Sequence, residues 1–186
     1  VGSEMCIRDS LDAETITRAD REAMASGAGL LAGHPVPQVQ VRIEDGEILV
    51  AGDHVNKGYL DPGRDAETKR RDGDTIWHRT GDAGALDSKG QLWLLGRHGA
   101  DVDGLHPFEV EVAARQWPGV RRVALAQTGG QAVLAIEGDK TKIQTWKAQA
   151  KGLFRIENVR HLDAIPLDRR HGSKVDYPAL AKALKT

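Results

Sequence analysis

Apolar and polar residues alternate in short runs over residues 38–95, and this pattern predicts β-strands. From Val39 to Ile43 every second residue is apolar, which is typical of a strand with one buried face. Asp45-Gly46 then favours a tight turn into a second strand. A further hairpin is predicted over 84–95, with a polar turn at 87–90. This part of the chain is therefore predicted to be mainly β.

The chain on either side of this stretch has helical features. Upstream, Thr17 and Asp20 have the spacing of a capping box, and Gly27 and Gly29 are expected to end the short helix. Downstream of Arg97 the predicted ranges are helix 107–117, strands 120–126 and 131–136, helix 140–153, strand 157–162 and helix 177–184. This order is typical of a small α+β domain with helices on an antiparallel or mixed sheet.

The first ten residues differ from the rest of the chain. Residues 1–10 read VGSEMCIRDS and have neither a strand nor a helix period. They resemble the translated end of a transposase adapter used in sequencing libraries, and the alternative is a natural disordered terminus. We therefore treat this segment as non-native and expect residues 11–186 to be the carboxy-terminal part of a longer protein. A domain boundary is predicted near residues 97–99.

Composition is that of an ordinary globular protein. The 186 residues include 26 Lys and Arg against 27 Asp and Glu, a net charge of -1, and 40% hydrophobic residues. This balance argues against a polybasic nucleic-acid binder, and no apolar run approaches the roughly 18 residues of a membrane span. The single cysteine, Cys6, excludes an internal disulfide and suits a reducing, cytoplasmic location. The seven histidines show no ligand-like pairs, so no metal site is predicted.

Several short motifs follow one another in a fixed order. They are Gly46–Gly52 (GEILVAG), Val55–Leu60 (VNKGYL), Trp77–Asp82 (WHRTGD), Leu92–Arg97 (LWLLGR), Ile165–Asp168 (IPLD) and Gly172–Asp176 (GSKVD). In this order they resemble motifs of the acyl-adenylate-forming superfamily, which includes acyl-CoA synthetases, peptide-synthetase adenylation domains and luciferases. The resemblance implies an α+β fold in which a mainly β, barrel-like subdomain precedes a small α+β lid. Residues 11–97 would be the β-rich end of the large AMP-binding domain, and 98–186 the mobile lid.

The resemblance also implies roles for individual residues. Asp82 would accept hydrogen bonds from both ribose hydroxyls of ATP, which a carboxylate with two acceptor oxygens can do. The planar fork of Arg97 would reach the nucleotide ribose or phosphate. Lys174 would contact the substrate carboxylate and the α-phosphate, where a fixed cation offsets charge repulsion. Taken alone, the three residues could be a turn aspartate, a surface ion pair and a solvated lysine.

The implied activity is an AMP-forming acid–thiol ligation in two steps. A carboxylic acid, expected to be a fatty acid, and Mg-ATP would give acyl-AMP and pyrophosphate, and the acyl group would pass to CoA or a carrier thiol. The lid would turn about a hinge at His98 and Gly99, where glycine gives backbone freedom. The phosphate-binding loop and the Mg²⁺ ligand are expected upstream of Leu11, so the chain alone is expected to be inactive. Compared with the superfamily, the glycine-containing hairpin after Arg97 is shortened to Ala100–Pro107, around Asp103-Gly104, which leaves the use of CoA open.

Two other functions remain open from the sequence. The run Pro166–His171 (PLDRRH), before Lys174, resembles the β-lactone synthetases of olefin biosynthesis, which activate an acid and close a ring without CoA. A carrier-loading enzyme is a related alternative. The other is a non-catalytic module that binds a nucleotide or a carrier protein. It fits this chain taken by itself, because no phosphate-binding loop is present in the sequence.

Overall fold

The structure is a computed structural model that describes residues 15–53, 55–56, 58, 65, 67–168 and 174–185. The adapter-like segment 1–10 lies outside these residues. So do Lys57, Tyr59 and Leu60 of one motif, Gly172 and Ser173 of another, and residues 169–171 before it. The chain divides into two compact units. Unit 1 contains Leu30–Gly99 with the described residues up to Arg21, and unit 2 contains Glu22–Gly29 and the residues from Ala100 onwards.

Helix α1 (Arg18–Ala25) begins with the predicted capping box. Thr17 N and Oγ1 donate to Asp20 Oδ2 at 2.9 and 2.7 Å, and Asp20 N donates back to Thr17 Oγ1 at 3.2 Å. These bonds satisfy donors that the first turn of a helix leaves without intrahelical partners. Gly27 and Gly29 follow the helix with φ angles of +97° and +96°. The predicted beginning and end of this helix are thus confirmed.

Unit 1 contains a six-stranded antiparallel sheet that is curled into a half-barrel. Its strands are β1 (Leu30–Gly33), β2 (Gln40–Glu44), β3 (Glu47–Ala51), β4 (Lys69–Asp72), β5 (Thr75–Leu86) and β6 (Leu92–Arg97). They lie in the order β1-β6-β5-β3-β2, with β4 paired to the first part of β5. The long strand β5 therefore pairs with three other strands, and the Trp77–Asp82 motif lies in the middle of the sheet.

Strand β3 is buried on both faces of the sheet. Ile48 and Val50 belong to one apolar cluster, and Leu49 packs with Trp77 in another. Burial on both faces explains why this strand is a continuous apolar run in the sequence rather than an alternating one. Gly84 of β5 allows the close approach of β3, because an added Cβ would lie 2.6 Å from Ile48 Cδ1.

The sequence predicted both hairpins of unit 1 but missed two strands. Asp45 and Gly46 have φ angles of +50° and +80°, as a two-residue hairpin turn with positive φ at both positions requires. β1 was missed because its four residues lie between the turn signals Gly29 and Pro35. β4 was missed because its residues, KRRD, are all charged and show no apolar period. It forms through main-chain pairing with β5.

Unit 2 has helices on both faces of a three-stranded mixed sheet. The strands are β7 (Val120–Thr128), β8 (Gln131–Gly138) and β9 (Asn158–Leu162). β8 lies in the centre, antiparallel to β7 and parallel to β9. Helices α2 (Pro107–Ala114) and α3 (Ile143–Phe154) pack on one face, and α4 (Tyr177–Ala183) packs on the other. The fully buried Trp146 lies in the first of these clusters.

The predicted α+β fold class is confirmed, with a mainly β half-barrel followed by a small mixed unit. All six elements predicted after Arg97 are present. Helix α2 is shorter than predicted and ends at Ala114, and the start of the predicted helix at 140 is instead a 3₁₀ turn, Lys140–Lys142. In the part of the chain that the structure describes, no helix has the length and apolar character needed to cross a membrane.

Candidate active site

Asp82 and Arg97 face each other across the neighbouring strands β5 and β6. They are register partners, and Arg97 Nη1 lies 3.1 Å from Asp82 Oδ1. The Asp82 side chain is 21% exposed and that of Arg97 is 62% exposed. Solvent screening makes such a pair a weak source of stability, but both groups remain accessible to a ligand. Two of the three predicted site residues are thus brought together.

The turn before Asp82 is fixed by its main chain and by one hydroxyl. Gly81 has a φ of +74°, in the left-handed region that favours glycine. Thr80 Oγ1 donates to Ile48 O at 2.9 Å and accepts from Asp82 N at 3.1 Å. His98 N donates to Gly81 O at 2.9 Å, so the predicted hinge begins next to this turn.

A buried carboxylate behind this turn has no counterpart in the sequence prediction. Glu47 is 4% exposed, and its Oε2 accepts from Arg79 Nε at 2.7 Å and Nη2 at 2.6 Å. Its Oε1 accepts from Gly81 N at 3.0 Å. Contacts between an arginine and a carboxylate are among the strong hydrogen bonds of proteins. The sequence does show a glutamate at the start of an apolar strand, which could have marked Glu47 as unusual. Its partners could not be predicted, because they depend on the register between β3 and β5.

An open cleft of about 320 Å³ lies on the same sheet. Glu47, Arg79 and His98 line it, together with Lys69 and the hairpin residue Glu44. The cleft therefore carries charges of both signs.

Lys69 also contacts a buried histidine of β5. Lys69 Nζ lies 3.3 Å from His78 Nδ1, and Thr68 O lies 3.2 Å from the same nitrogen. Burial lowers the pKa of Lys69, and burial together with the Lys69 charge lowers the pKa of His78. His78 thus lies inside β5 and is paired with a lysine.

The segment after Arg97 contains a bridge that closes a two-residue turn. Gly99 has a φ of +75°, and an added Cβ would meet no heavy atom within 4 Å. Val102 and Leu105 form a bridge around Asp103 and Gly104, which have φ angles of +53° and +75°. Asp103 Oδ2 accepts a hydrogen bond from the main-chain nitrogen of Ala132, the second residue of β8, at 2.7 Å. The two-residue turn at Asp103 and Gly104 is therefore anchored within unit 2.

Lys174 belongs to unit 2 and lies on a short two-stranded segment. We call residues 166–168 and 174–176 the Lys174 arm. Asp168 N donates to Lys174 O at 2.8 Å, and Asp176 N donates to Pro166 O at 2.9 Å. The Lys174 side chain is exposed. Its predicted action on a substrate bound by Asp82 and Arg97 stays a prediction.

A second buried carboxylate, Glu137, anchors the start of this arm. Glu137 is 4% exposed, and its Oε2 accepts from Ile165 N at 2.9 Å. Its Oε1 lies 3.1 Å from Arg122 Nη1 and 3.7 Å from Arg121 Nε. The two arginines offset the cost of burying the carboxylate, so the residue that precedes the arm is held at the edge of the core.

Comparison with known proteins decides the family. No family model matches the chain. An olefin β-lactone synthetase from Stenotrophomonas maltophilia is 30% identical over 204 residues, which cover 87% of this chain and 37% of that protein. A 2-succinylbenzoate–CoA ligase from Listeria monocytogenes is 33% identical over 99 residues, covering 50% of this chain and 21% of the ligase. The solved structure of the amide bond synthetase McbA from Marinactinospora thermotolerans has a TM-score of 0.66 at 24% identity, over 92% of this chain and 39% of that one.

The chain belongs to the acyl-adenylate-forming superfamily. The superfamily resemblance carried by the motifs is thus confirmed. The chain matches the carboxy-terminal part of adenylate-forming enzymes and spans about 37% of the length of the β-lactone synthetases that it matches. In this superfamily member, Asp82 and Arg97 meet on the half-barrel of unit 1, whereas Lys174 belongs to unit 2. Among the described residues, no three His, Cys, Asp or Glu side chains form a group that could hold a metal ion.

Proposed function

We propose that the protein containing this chain is an AMP-forming acid–thiol ligase. The carboxylate of a fatty or other carboxylic acid attacks the α-phosphorus of Mg-ATP, giving acyl-AMP and pyrophosphate. The sulfur of CoA then attacks the acyl carbon, an acyl-CoA thioester forms and AMP leaves. Membership of the superfamily and the CoA ligases among the relatives support this proposal. We also propose a cytoplasmic location, where ATP and CoA are available.

The proposal depends above all on the accessible Asp82–Arg97 pair. Two carboxylate oxygens suit the two vicinal hydroxyls of a ribose, and the bonds gain strength from the charge of the acceptor. Arg97 places further N–H donors next to this acceptor. The turn behind Asp82 is fixed through Glu47, Thr80 and Gly81, so little conformational freedom is lost when a ribose binds.

Lys174 is proposed to supply the cation for the first step. The attacking carboxylate and the α-phosphate are both anionic, and a positive charge between them lowers the barrier. One charge at ~4 Å with an effective dielectric constant of ~20 contributes about 4 kcal/mol, which is roughly three decades in rate. Mg²⁺ is proposed to enter with ATP, bound to the phosphate oxygens.

The proposed function is tested on the full-length protein by acid-dependent exchange of pyrophosphate into ATP. Carboxylic acids of increasing chain length are compared, and CoA is then added to follow thioester formation. We expect exchange with at least one acid and a raised KM for ATP in Asp82→Asn. If a broad panel of acids supports no exchange, the adenylation proposal is wrong.

A second candidate is a β-lactone synthetase, in which an internal hydroxyl replaces CoA. Two relatives with this name cover 88% and 87% of the chain. A CoA ligase from Mycobacterium tuberculosis covers 89%, so the extent of the match supports both candidates. A 3-hydroxy acid would be adenylated, its hydroxyl oxygen would attack the acyl carbon and AMP would leave as the ring closes. Product analysis with a 3-hydroxy acid, with and without CoA, separates a lactone from a thioester.

The chain by itself is proposed to bind a nucleotide without turnover. This expectation follows from the short span of the chain relative to its relatives. Saturation-transfer NMR with AMP should detect binding by the 186-residue chain and its weakening in Asp82→Asn. Release of pyrophosphate from ATP by this chain would contradict the expectation.

A further inference from the structure

One carboxylate oxygen joins three elements of unit 2. Glu111 lies on α2, and its Oε1 accepts from Leu125 N of β7 at 2.8 Å and from the Tyr177 hydroxyl at 3.3 Å. β7 is an edge strand of its sheet, and alternate N–H groups of an edge strand need partners outside the sheet. Leu125 N is such a group, and Glu111 supplies its acceptor. Tyr177 is the first residue of α4. Glu111 therefore connects α2, the sheet edge and the start of α4.

The start of α4 is continuous with the Lys174 arm. Asp176, the residue before Tyr177, closes the arm through its main-chain N–H to Pro166 O. The Asp176 side chain also caps α4, because its Oδ1 accepts from Ala179 N at 3.0 Å. A contact that fixes Tyr177 thus fixes the end of the arm at Asp176, two residues from Lys174.

The donors to Glu111 are neutral groups. Burial raises the pKa of Glu111 to about 7, against the lowering effect of its two hydrogen bonds. Burial and the neighbouring Glu111 charge raise the pKa of Tyr177 above its ordinary value. Of the titratable side chains in the described residues, Tyr177 is the one that donates to Glu111. The charge on Glu111, and with it the strength of the Tyr177 contact, thus changes near neutral pH.

We propose that Glu111 is a positioning residue for Lys174 and that it acts through Tyr177. The inference rests on the proposed function for the role of Lys174. Ionised Glu111 binds the Tyr177 hydroxyl with a charge-assisted hydrogen bond and thereby keeps the arm in one geometry. When Glu111 takes up a proton, this bond weakens and the arm gains freedom.

The coupling is tested on the 186-residue chain, without any activity, by hydrogen exchange at the Asp168 amide. This amide donates to Lys174 O and reports directly on the arm. Tyr177→Phe removes only the hydroxyl, and we expect about tenfold lower protection at pH 8, the size of one hydrogen bond to a charged group. At pH 5.5, where Glu111 is protonated in both proteins, the two protection factors should agree within about twofold.

A matched carboxylate control is available in the same unit. Glu157 forms an exposed ion pair with Lys151 at 2.9 Å, so Glu157→Gln should leave Asp168 protection unchanged at both pH values. Equal protection of Asp168 in the wild type and Tyr177→Phe at pH 8 would overturn the inference. A loss that is the same at both pH values would also overturn it, because the ionisation of Glu111 would then have no part.

The consequence for catalysis is tested in the full-length protein. Tyr177→Phe should lower kcat for acyl-AMP formation about tenfold and leave KM for ATP unchanged. Glu111→Gln keeps an acceptor oxygen, whereas Glu111→Leu does not. The rate of acyl-AMP formation should therefore be higher in Glu111→Gln than in Glu111→Leu. A wild-type protein that forms no acyl-AMP contradicts the proposed function, while the exchange experiment still decides the coupling. Normal kcat in Tyr177→Phe overturns the inference and leaves the proposed function intact.

Discussion

Two carboxylates, Glu47 of unit 1 and Glu111 of unit 2, differ in the groups that donate hydrogen bonds to them. In unit 1, Glu47 lies behind the Asp82 turn and is paired with Arg79 through two nitrogens. In unit 2, Glu111 lies beside the Lys174 arm and receives only a peptide N–H and a tyrosine hydroxyl. A cation offsets the desolvation of a carboxylate, whereas neutral donors offset only part of it. The difference indicates a turn held in one state and an arm whose anchoring depends on pH.

The largest expected effect concerns the chemical contribution of each unit. In the full-length protein, Lys174→Ala should lower the rate of acyl-AMP formation about a thousandfold, because a ~4 kcal/mol charge interaction is lost. Asp82→Ala should act mainly on KM for ATP. Pyrophosphate exchange and single-turnover rates measure both effects.

Thioester formation from supplied acyl-AMP is the control for this experiment. Lys174→Ala should leave this second reaction largely intact. Equal loss in both reactions would contradict the assigned role of Lys174, and would remove the division between a binding unit and a catalytic one.

The next largest effect tests the anchoring in unit 1. Glu47→Ala leaves Arg79 and Gly81 N without their acceptor, and we expect a loss of about 3 kcal/mol in the free energy of unfolding. Urea unfolding of the chain measures it. A loss below about 1 kcal/mol would mean that the exposed part of Arg79 finds adequate solvent contacts, and that the turn is not held by this pair.

The pH dependence of stability tests the anchoring in unit 2. Glu111 releases its proton near its ordinary pKa of 4.5 when unfolded and at about 7 when folded. The folded state thus binds more protons between these values, and stability falls as pH rises through this window. The expected fall is about 2 kcal/mol, after allowance for solvent contact of the side chain. Glu111→Gln should remove it. Urea unfolding at pH 5 and pH 8 measures the fall. The same pH dependence in the wild type and in Glu111→Gln would contradict the raised pKa of Glu111.

The smallest effect is expected for an ion pair with no burial. Lys151 and Glu157 are 67% and 74% exposed and lie 2.9 Å apart. Glu157→Gln should change the free energy of unfolding by less than about 0.5 kcal/mol. A larger change would show that the exposure of an ion pair in unit 2 does not predict its contribution to the free energy of unfolding.

Local chemistry explains what the sequence could predict. The Asp45-Gly46 turn and the Thr17–Asp20 capping box depend on neighbouring residues, so their patterns are visible in the chain. The motifs identified the family and nominated Asp82, Arg97 and Lys174 as site residues. Of these, Asp82 and Arg97 are shown to be neighbours, and the roles of all three stay predictions.

Contacts between distant residues explain what the sequence could not predict. The pairing of Glu47 with Arg79 depends on the register of β3 against β5, including an irregularity between Glu47 and Leu49. The contact of Glu111 with Tyr177 depends on the packing of helices against opposite faces and the edge of one sheet. Neither pair has a sequence spacing that a period or a turn rule could reveal.

The pairing of β1 with β6 has a consequence for the order of folding. The β2–β3 hairpin closes through a two-residue turn and can form within microseconds. β1 must instead find β6 through contacts such as Leu30 with Leu94, and long chain segments make such contacts slow to form. Until β1 arrives, one edge of β6 lacks its partner strand. This edge of β6 is therefore open to edge-to-edge association until β1 pairs with it.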